Sequence, residues 1–197
     1  NFLMKFSTLL TLFLFSLSVY SQSINSYLNS EERTDFRSEK LVEEVKIDQL
    51  FYNSSGIETK IEVISYNFQN KDIISNRYDE NKILKQRLTR LYDATGTRII
   101  STRLDNWHSL IGHFYDTKYY YYDTNGFLSK IFEKDSNNNI IRQTFIINNE
   151  KGNPLELSIV EGDQIIAKET AEYNYEQNEV VIKYFTGSDE LLNTDLR

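Results

Sequence analysis

From residue 53 onward the chain is broken by a turn signal every 10–18 residues. Polar clusters carrying Asn, Asp and Gly stand at 53–56, 69–72, 79–82, 93–96, 105–108, 123–126, 136–139, 149–153, 161–164, 176–179 and 186–189. Between them lie runs rich in Ile, Leu, Val, Tyr and Phe, and six of the seven glycines fall in the clusters. Punctuation this regular, with almost no helical pattern after residue 50, reads as antiparallel strands. The expectation is an all-β fold, an antiparallel meander of about ten strands built of repeated β-hairpins and forming a single twisted or curled sheet.

The clearest copy of the unit is residues 119–132, YYYYDTNGFLSKIF. Aromatic residues favour the pleated, half-buried surface of a strand. Asn125-Gly126 supplies positive φ at little steric cost, so the chain reverses there. Simple alternation puts Tyr120 and Tyr122 on one face with Phe127 and Ile131, and Tyr119 and Tyr121 on the other with Leu128 and Phe132. Weaker copies recur. The pairs Tyr66-Asn67, Tyr92-Asp93, Tyr122-Asp123, Asn148-Asn149 and Tyr175-Glu176 stand 26, 30, 26 and 27 residues apart. Each step holds two strands and two turns, a unit that stacks on its neighbours to share a core.

At Tyr122-Asp123-Thr124-Asn125-Gly126-Phe127-Leu128 the chain resembles the YD (RHS-type) repeat family, whose pattern is Tyr-Asp, two residues, Gly, one residue, Leu. Tyr92-Asp93-Ala94-Thr95-Gly96 matches the first half, with Arg98 in the leucine position. The copy at 148–152 keeps only Gly152, and Tyr175-Glu176 is followed by Glu179 in place of the glycine. The resemblance covers residues 60–190, is strong in one repeat, and has a longer spacing than that family's usual repeat. It implies an exported β-sheet protein of the cell surface. A second resemblance is to variant MORN-like repeats, which also use Tyr-x-Asn-Gly hairpins.

The beginning of the chain reads differently. Lys5, an apolar run at 9–17 and the small residue ending Val19-Tyr20-Ser21 have the layout of an export signal over residues 1–21. Residues 22–40 form a polar N-terminal arm, and the β-hairpin repeat domain is expected over 41–197. With no cysteine there is no disulfide framework, thiolate metal site or cysteine nucleophile. That absence, with Lys-, Asn- and Ile-rich usage, points to a bacterial exported protein. The formal charge of −7 becomes one unit more negative when Lys5 leaves with the signal, which disfavours nucleic acid as a partner.

Against this acidic background, residues 82–103 carry six basic residues and Asp93 alone. A turn at 93–96 places Lys85, Arg87 and Arg98 on one hairpin face, a candidate site for an anionic glycan, glycolipid or envelope protein. Tyr120 and Tyr122 are candidate stacking residues, though cross-strand packing is the commoner use of such tyrosines. His108 and His113, five residues apart, do not share a strand face and read as surface histidines. Asp135-Ser136-Asn137-Asn138-Asn139 begins like a calcium loop, but Ile140 and Ile146 stand where glycine and the closing glutamate belong. It reads as an Asx-rich turn.

No phosphate loop, GxGxxG, GxSxG, SxxK or HExxH occurs. The expected function is non-enzymatic, a binding or scaffold module of the periplasm or cell surface, with no cofactor and no membrane span after signal removal. The alternatives are a curled-sheet carrier of a lipid or hydrophobic ligand, and a hydrolase with an unrecognised carboxylate site. A large apolar cavity favours the carrier, inward carboxylates in a polar cleft the enzyme, and smooth faces the scaffold.

Overall fold

The computed structural model describes residues 23–24, 42–53, 56–67 and 69–197. Its strands are β1 (Glu44–Asn53), β2 (Gly56–Tyr66), β3 (Asp72–Tyr78), β4 (Leu84–Tyr92), β5 (Ile99–His108) and β6 (Gly112–Tyr122). They continue as β7 (Leu128–Lys134), β8 (Ile140–Asn148), β9 (Pro154–Glu161), β10 (Gln164–Asn174), β11 (Glu179–Thr186) and β12 (Leu191–Leu196). All twelve lie in one antiparallel sheet in sequence order, so every strand bonds only to its neighbours in the chain, and β1 and β12 are left as edges. The expected meander is present, with twelve strands rather than about ten. One expected turn is displaced. Residues 105–108 lie inside β5, and the chain reverses after them, with φ of 87° at Gly112.

Seven of the reversals share one geometry. They start at Asn67, Asp79, Asp93, Asp123, Asp135, Asn149 and Thr186, and in each the N–H three residues on donates to the first residue's carbonyl. That fourth residue has positive φ: Asn70, Lys82, Gly96, Gly126, Asn138, Gly152 and Asp189. The first side chain finishes the turn. Asp123 Oδ1, for example, accepts from the N–H groups of Asn125 and Phe127, each at 2.9 Å. Asp135 does the same with Asn137 and Asn139, so its carboxylate is engaged with the turn backbone.

Each of these turns leaves a register shift beside it, as between Tyr121 and Tyr122 in β6 against β7. A bulged residue moves the side chains beyond it to the opposite face. Tyr120 still faces Ile131 and Tyr119 still faces Phe132, as alternation requires. Leu128, however, lies opposite Tyr122 and not with Tyr121. The correction is one bulge residue, Ser129, that simple alternation does not count.

The register sorts side chains onto a front and a back face. The front carries the hydrophobic core, Ile131, Ile146, Leu157, Ile159, Ala171 and Ile182, contributed by β7 to β11. Ile24, from the N-terminal arm, is fully buried in this cluster, and its N–H donates to Glu169 Oε2 at 2.7 Å. The rest of the arm and the residues of the export signal lie outside the described residues.

Successive units are tied at one end of the sheet. Tyr92 donates to the Asp72 carbonyl at 3.1 Å, Tyr122 to Ile99 at 2.8 Å, Asn148 to Leu128 at 2.8 Å and Tyr173 to Pro154 at 2.9 Å. The donor stands at the end of an even-numbered strand and the acceptor at the start of a strand in the preceding unit. Burial and nearby Asp72 push the Tyr92 hydroxyl up to about 12, so it stays a proton donor. In the last unit the role falls to Tyr173, and Tyr175 instead receives hydrogen bonds from Asn149 and Asn153.

Candidate functional site

The front face is divided. Where β7 to β11 form the core, β2 to β7 form a trough of ≈560 Å³. A depression lined from one face of six consecutive strands requires that face to be concave. Its floor is an apolar strip in which Ile64, Leu88 and Leu104 succeed one another across β2, β4 and β5, with Ser75 between the first two. Asp116 of β6 ends the strip, opposite Leu104.

Two rails of polar, ion-paired side chains flank the strip. On one, Glu62 accepts from Ser75 Oγ at 2.5 Å and from Arg77 Nε at 3.2 Å. Arg77 also reaches Gln86, and Gln86 reaches Asn106 at 2.9 Å. On the other, Arg90 Nη1 lies 2.7 Å from Asp72, an electrostatic contact without hydrogen-bond alignment, and Lys118 lies 3.6 Å from Glu133. Along one strand the rails stand four residues apart, as at Gln86 and Arg90, or about 13 Å. A second depression of ≈660 Å³ adjoins the first and shares Glu62, Arg77 and Gln86 with it.

Three of the trough's carboxylates, Glu62, Asp72 and Glu133, face a cation. Asp116 forms no ion pair among the described residues, and its carboxyl is held above the usual range by burial, then by the charges of Glu133 and Asp135, with Lys118 acting the other way. The trough therefore offers many donors and acceptors, little net charge, and one acid that keeps its proton to higher pH than an ordinary aspartate.

The residues expected to form a basic site are dispersed. Lys85 is the bulged residue of β4 and pairs with Asp79 at 3.1 Å. Arg87 is on the back face, donating to Asn76 at 2.8 Å. Arg98 is in the turn before β5, over the ring of Tyr122 and against Gly126. Bulges at Lys85 in β4 and at Ile100 in β5 defeat the alternation that aligned them. Of the two candidate tyrosines, Tyr120 lines the trough and Tyr122 belongs to the inter-unit ladder.

His113 is exposed, as expected, and also joins a side-chain network. On the back face its Nε2 lies 2.8 Å from Asp105 Oδ1, and its ring stacks on Trp107 at 4.9 Å. Arg103 donates to the same carboxylate through Nε and Nη2. Burial of Asp105 would raise its acid range, but the bonds from Arg103 and His113 outweigh burial and hold it low. The signal was in the sequence as Arg103 and Asp105 at spacing two, opposite His113 across a hairpin, and was obscured by taking 105–108 for a turn. Among the described residues no group of three or more His, Asp and Glu side chains is arranged to hold a metal ion. Nor is any helix long and apolar enough to cross a membrane. Compared with protein-family models and with curated proteins, the chain matches no family and no curated sequence.

Proposed function

We propose that the protein is an exported, non-enzymatic binding module of the bacterial cell envelope, and that the front trough takes an uncharged oligosaccharide. The observation that carries this reading is the apolar strip of Ile64, Leu88 and Leu104 between two rails of ion-paired polar side chains. A sugar ring has the matching division, with C–H faces that pack on aliphatic and aromatic side chains and a rim of hydroxyls that both donate and accept. Pre-ordered rails need little rearrangement to receive them, which lowers the entropic cost of binding. Tyr120 adds an aromatic side chain to the lining. A lipid or other hydrophobic ligand is less well served, because ion-paired side chains stand on both sides of the strip.

Titration calorimetry with neutral cello-, malto- and chito-hexaoses tests the reading. Binding of one class is expected, with Leu88→Arg abolishing it by placing a charge on the floor. No binding by any of the three, or unchanged binding by Leu88→Arg, refutes it. A hydrolase is the second reading, favoured by Asp116, which forms no ion pair among the described residues and whose raised acid range suits a proton donor to a leaving oxygen. In that case the bound oligosaccharide is cleaved, and Asp116→Asn stops cleavage without stopping binding.

A further inference from the structure

The back face of β4 to β8 differs from the rest of the sheet surface in how its cations are held. Elsewhere, lysines and arginines on the strands face carboxylates: Arg142 with Glu161, Lys168 with Glu156 and Lys183 with Glu172. Here three cations lie near rings with no carboxylate beside them. Lys130 is 4.1 Å from the centre of Phe132 and 4.6 Å from that of Phe145, and Lys134 is 5.7 Å from Tyr119 while donating to Asn138 at 3.1 Å. Arg103, 3.6 Å from Tyr115, is by contrast paired with Asp105 at 2.8 Å. Arg87 stands 5.9 Å from Trp107. Among the described residues Arg87, Lys130 and Lys134 have no carboxylate within ion-pair distance. The one acid of this region, Asp105, is occupied by Arg103 and His113.

A cation over a ring is held without being neutralised. Its outward side remains available to an anion, and Tyr119, Tyr121 and Phe145 are themselves exposed around it. The result is a basic, aromatic strip on an acidic protein, with a charge of −7 overall.

The spacing of the charges selects among polyanions. Lys130 and Lys134, the two unpaired lysines of the strip, are four residues apart on one strand, about 13 Å. Nucleic acid carries a phosphate every ~3.4 Å along each strand and is bound by denser basic arrays. An anionic membrane is a plane, whereas strands turn by roughly 20–25° per step, so five strands do not present their side chains to one plane. A flexible polymer with sparse charges and sugar rings that stack on tyrosine meets both conditions. We infer that the back face of β4 to β8 binds an acidic, carboxylate-bearing polysaccharide, independently of any ligand in the front trough.

The test uses the full folded chain and polygalacturonate, with its fully methyl-esterified form as the uncharged counterpart. Binding to polygalacturonate is expected, weakening at least tenfold between 50 and 500 mM salt, with none to the ester. Lys130→Gln with Lys134→Gln should lower affinity at least tenfold at an unchanged melting temperature. Lys168→Gln with Lys183→Gln removes the same charge from the same face, but from lysines already paired, and should change it less than twofold. The inference is overturned if polygalacturonate does not bind, if the ester binds equally, or if the two double variants weaken binding alike. Tighter binding of single-stranded DNA or of anionic vesicles than of polygalacturonate also overturns it. Leu88→Arg, which blocks the front trough, should leave this binding intact.

Discussion

Gly112 and Gly152 have nearly the same positive φ, 87° and 86°. A side chain is resisted at such a φ by about 1–2 kcal/mol. Their surroundings differ. A Cβ on Gly112 meets nothing within 4 Å, whereas one on Gly152 runs into the ring of Phe127, with Cδ1 at 2.6 Å. Gly152→Ala should therefore lower the melting temperature clearly more than Gly112→Ala, and thermal denaturation of the pair isolates the packing part. Glu169 gives a second test at this scale. Its burial raises its acid range, more than the hydrogen bond from Ile24 lowers it. A folded-state pKa above the unfolded one means a stability contribution present at low pH and lost as pH rises through the folded value. Glu169→Gln, which keeps an acceptor for Ile24 but carries no charge, should melt higher than the parent at neutral pH. The gap should close below the ordinary glutamate range, about pH 4. A gap independent of pH would show that the carboxylate is not the cause.

At the scale of the element, the hairpin is defined by its turn and by the ladder that ties it to the previous unit. Tyr122→Phe removes only the hydroxyl donating to Ile99, and should cost about 1 kcal/mol, with more if the carbonyl is left unsatisfied. For a chain of this size that is roughly 2–4 °C in melting temperature, and no loss at all would mean that the ladder contributes nothing. The strands, the turns at Asp93 and Asp123, and the 26-residue step were legible because Asx at the first turn position and glycine at the fourth carry a local backbone requirement. Asn148 aligned with the tyrosines for a physical reason, since its amide makes the bond that their hydroxyls make. Faces were less legible. A bulge has no letter of its own, so Leu128, Lys85 and Arg98 were misplaced while Tyr120 and Ile131 were not. The trough was not legible at all, because its rails join residues such as Glu62, Arg77, Gln86 and Asn106 from four strands and depend on every register between them.

For the whole molecule, the repeat makes a deletion the most direct test. Removing residues 123–148 joins Tyr122 to Asn149, replaces one turn start by another and keeps the alternation of strand directions. A cooperatively melting ten-stranded protein is expected, less stable for the loss of Ile131 and Ile146 from the core. It should not bind polygalacturonate, since Lys130 and Lys134 go with the unit. A chain with no cooperative transition would show that the units are not interchangeable. The division of the front face is also a property of this scale. The same succession of hairpins supplies a sealed apolar surface under Ile24 and an open polar trough beside it, the two meeting at Tyr120 and β7.

Strand order has a mechanical consequence. Because each strand is bonded only to its neighbours in the chain, tension applied between β1 and β12 acts on the two edges first. Hydrogen bonds there are loaded in turn, as in a zipper, rather than all at once as in a sheet whose terminal strands lie side by side and shear. Each strand pulled free leaves a new edge of the same kind and lengthens the molecule by up to ~3.3–3.6 Å per residue. A sheet so connected is expected to yield in steps at low force rather than in a single high-force event.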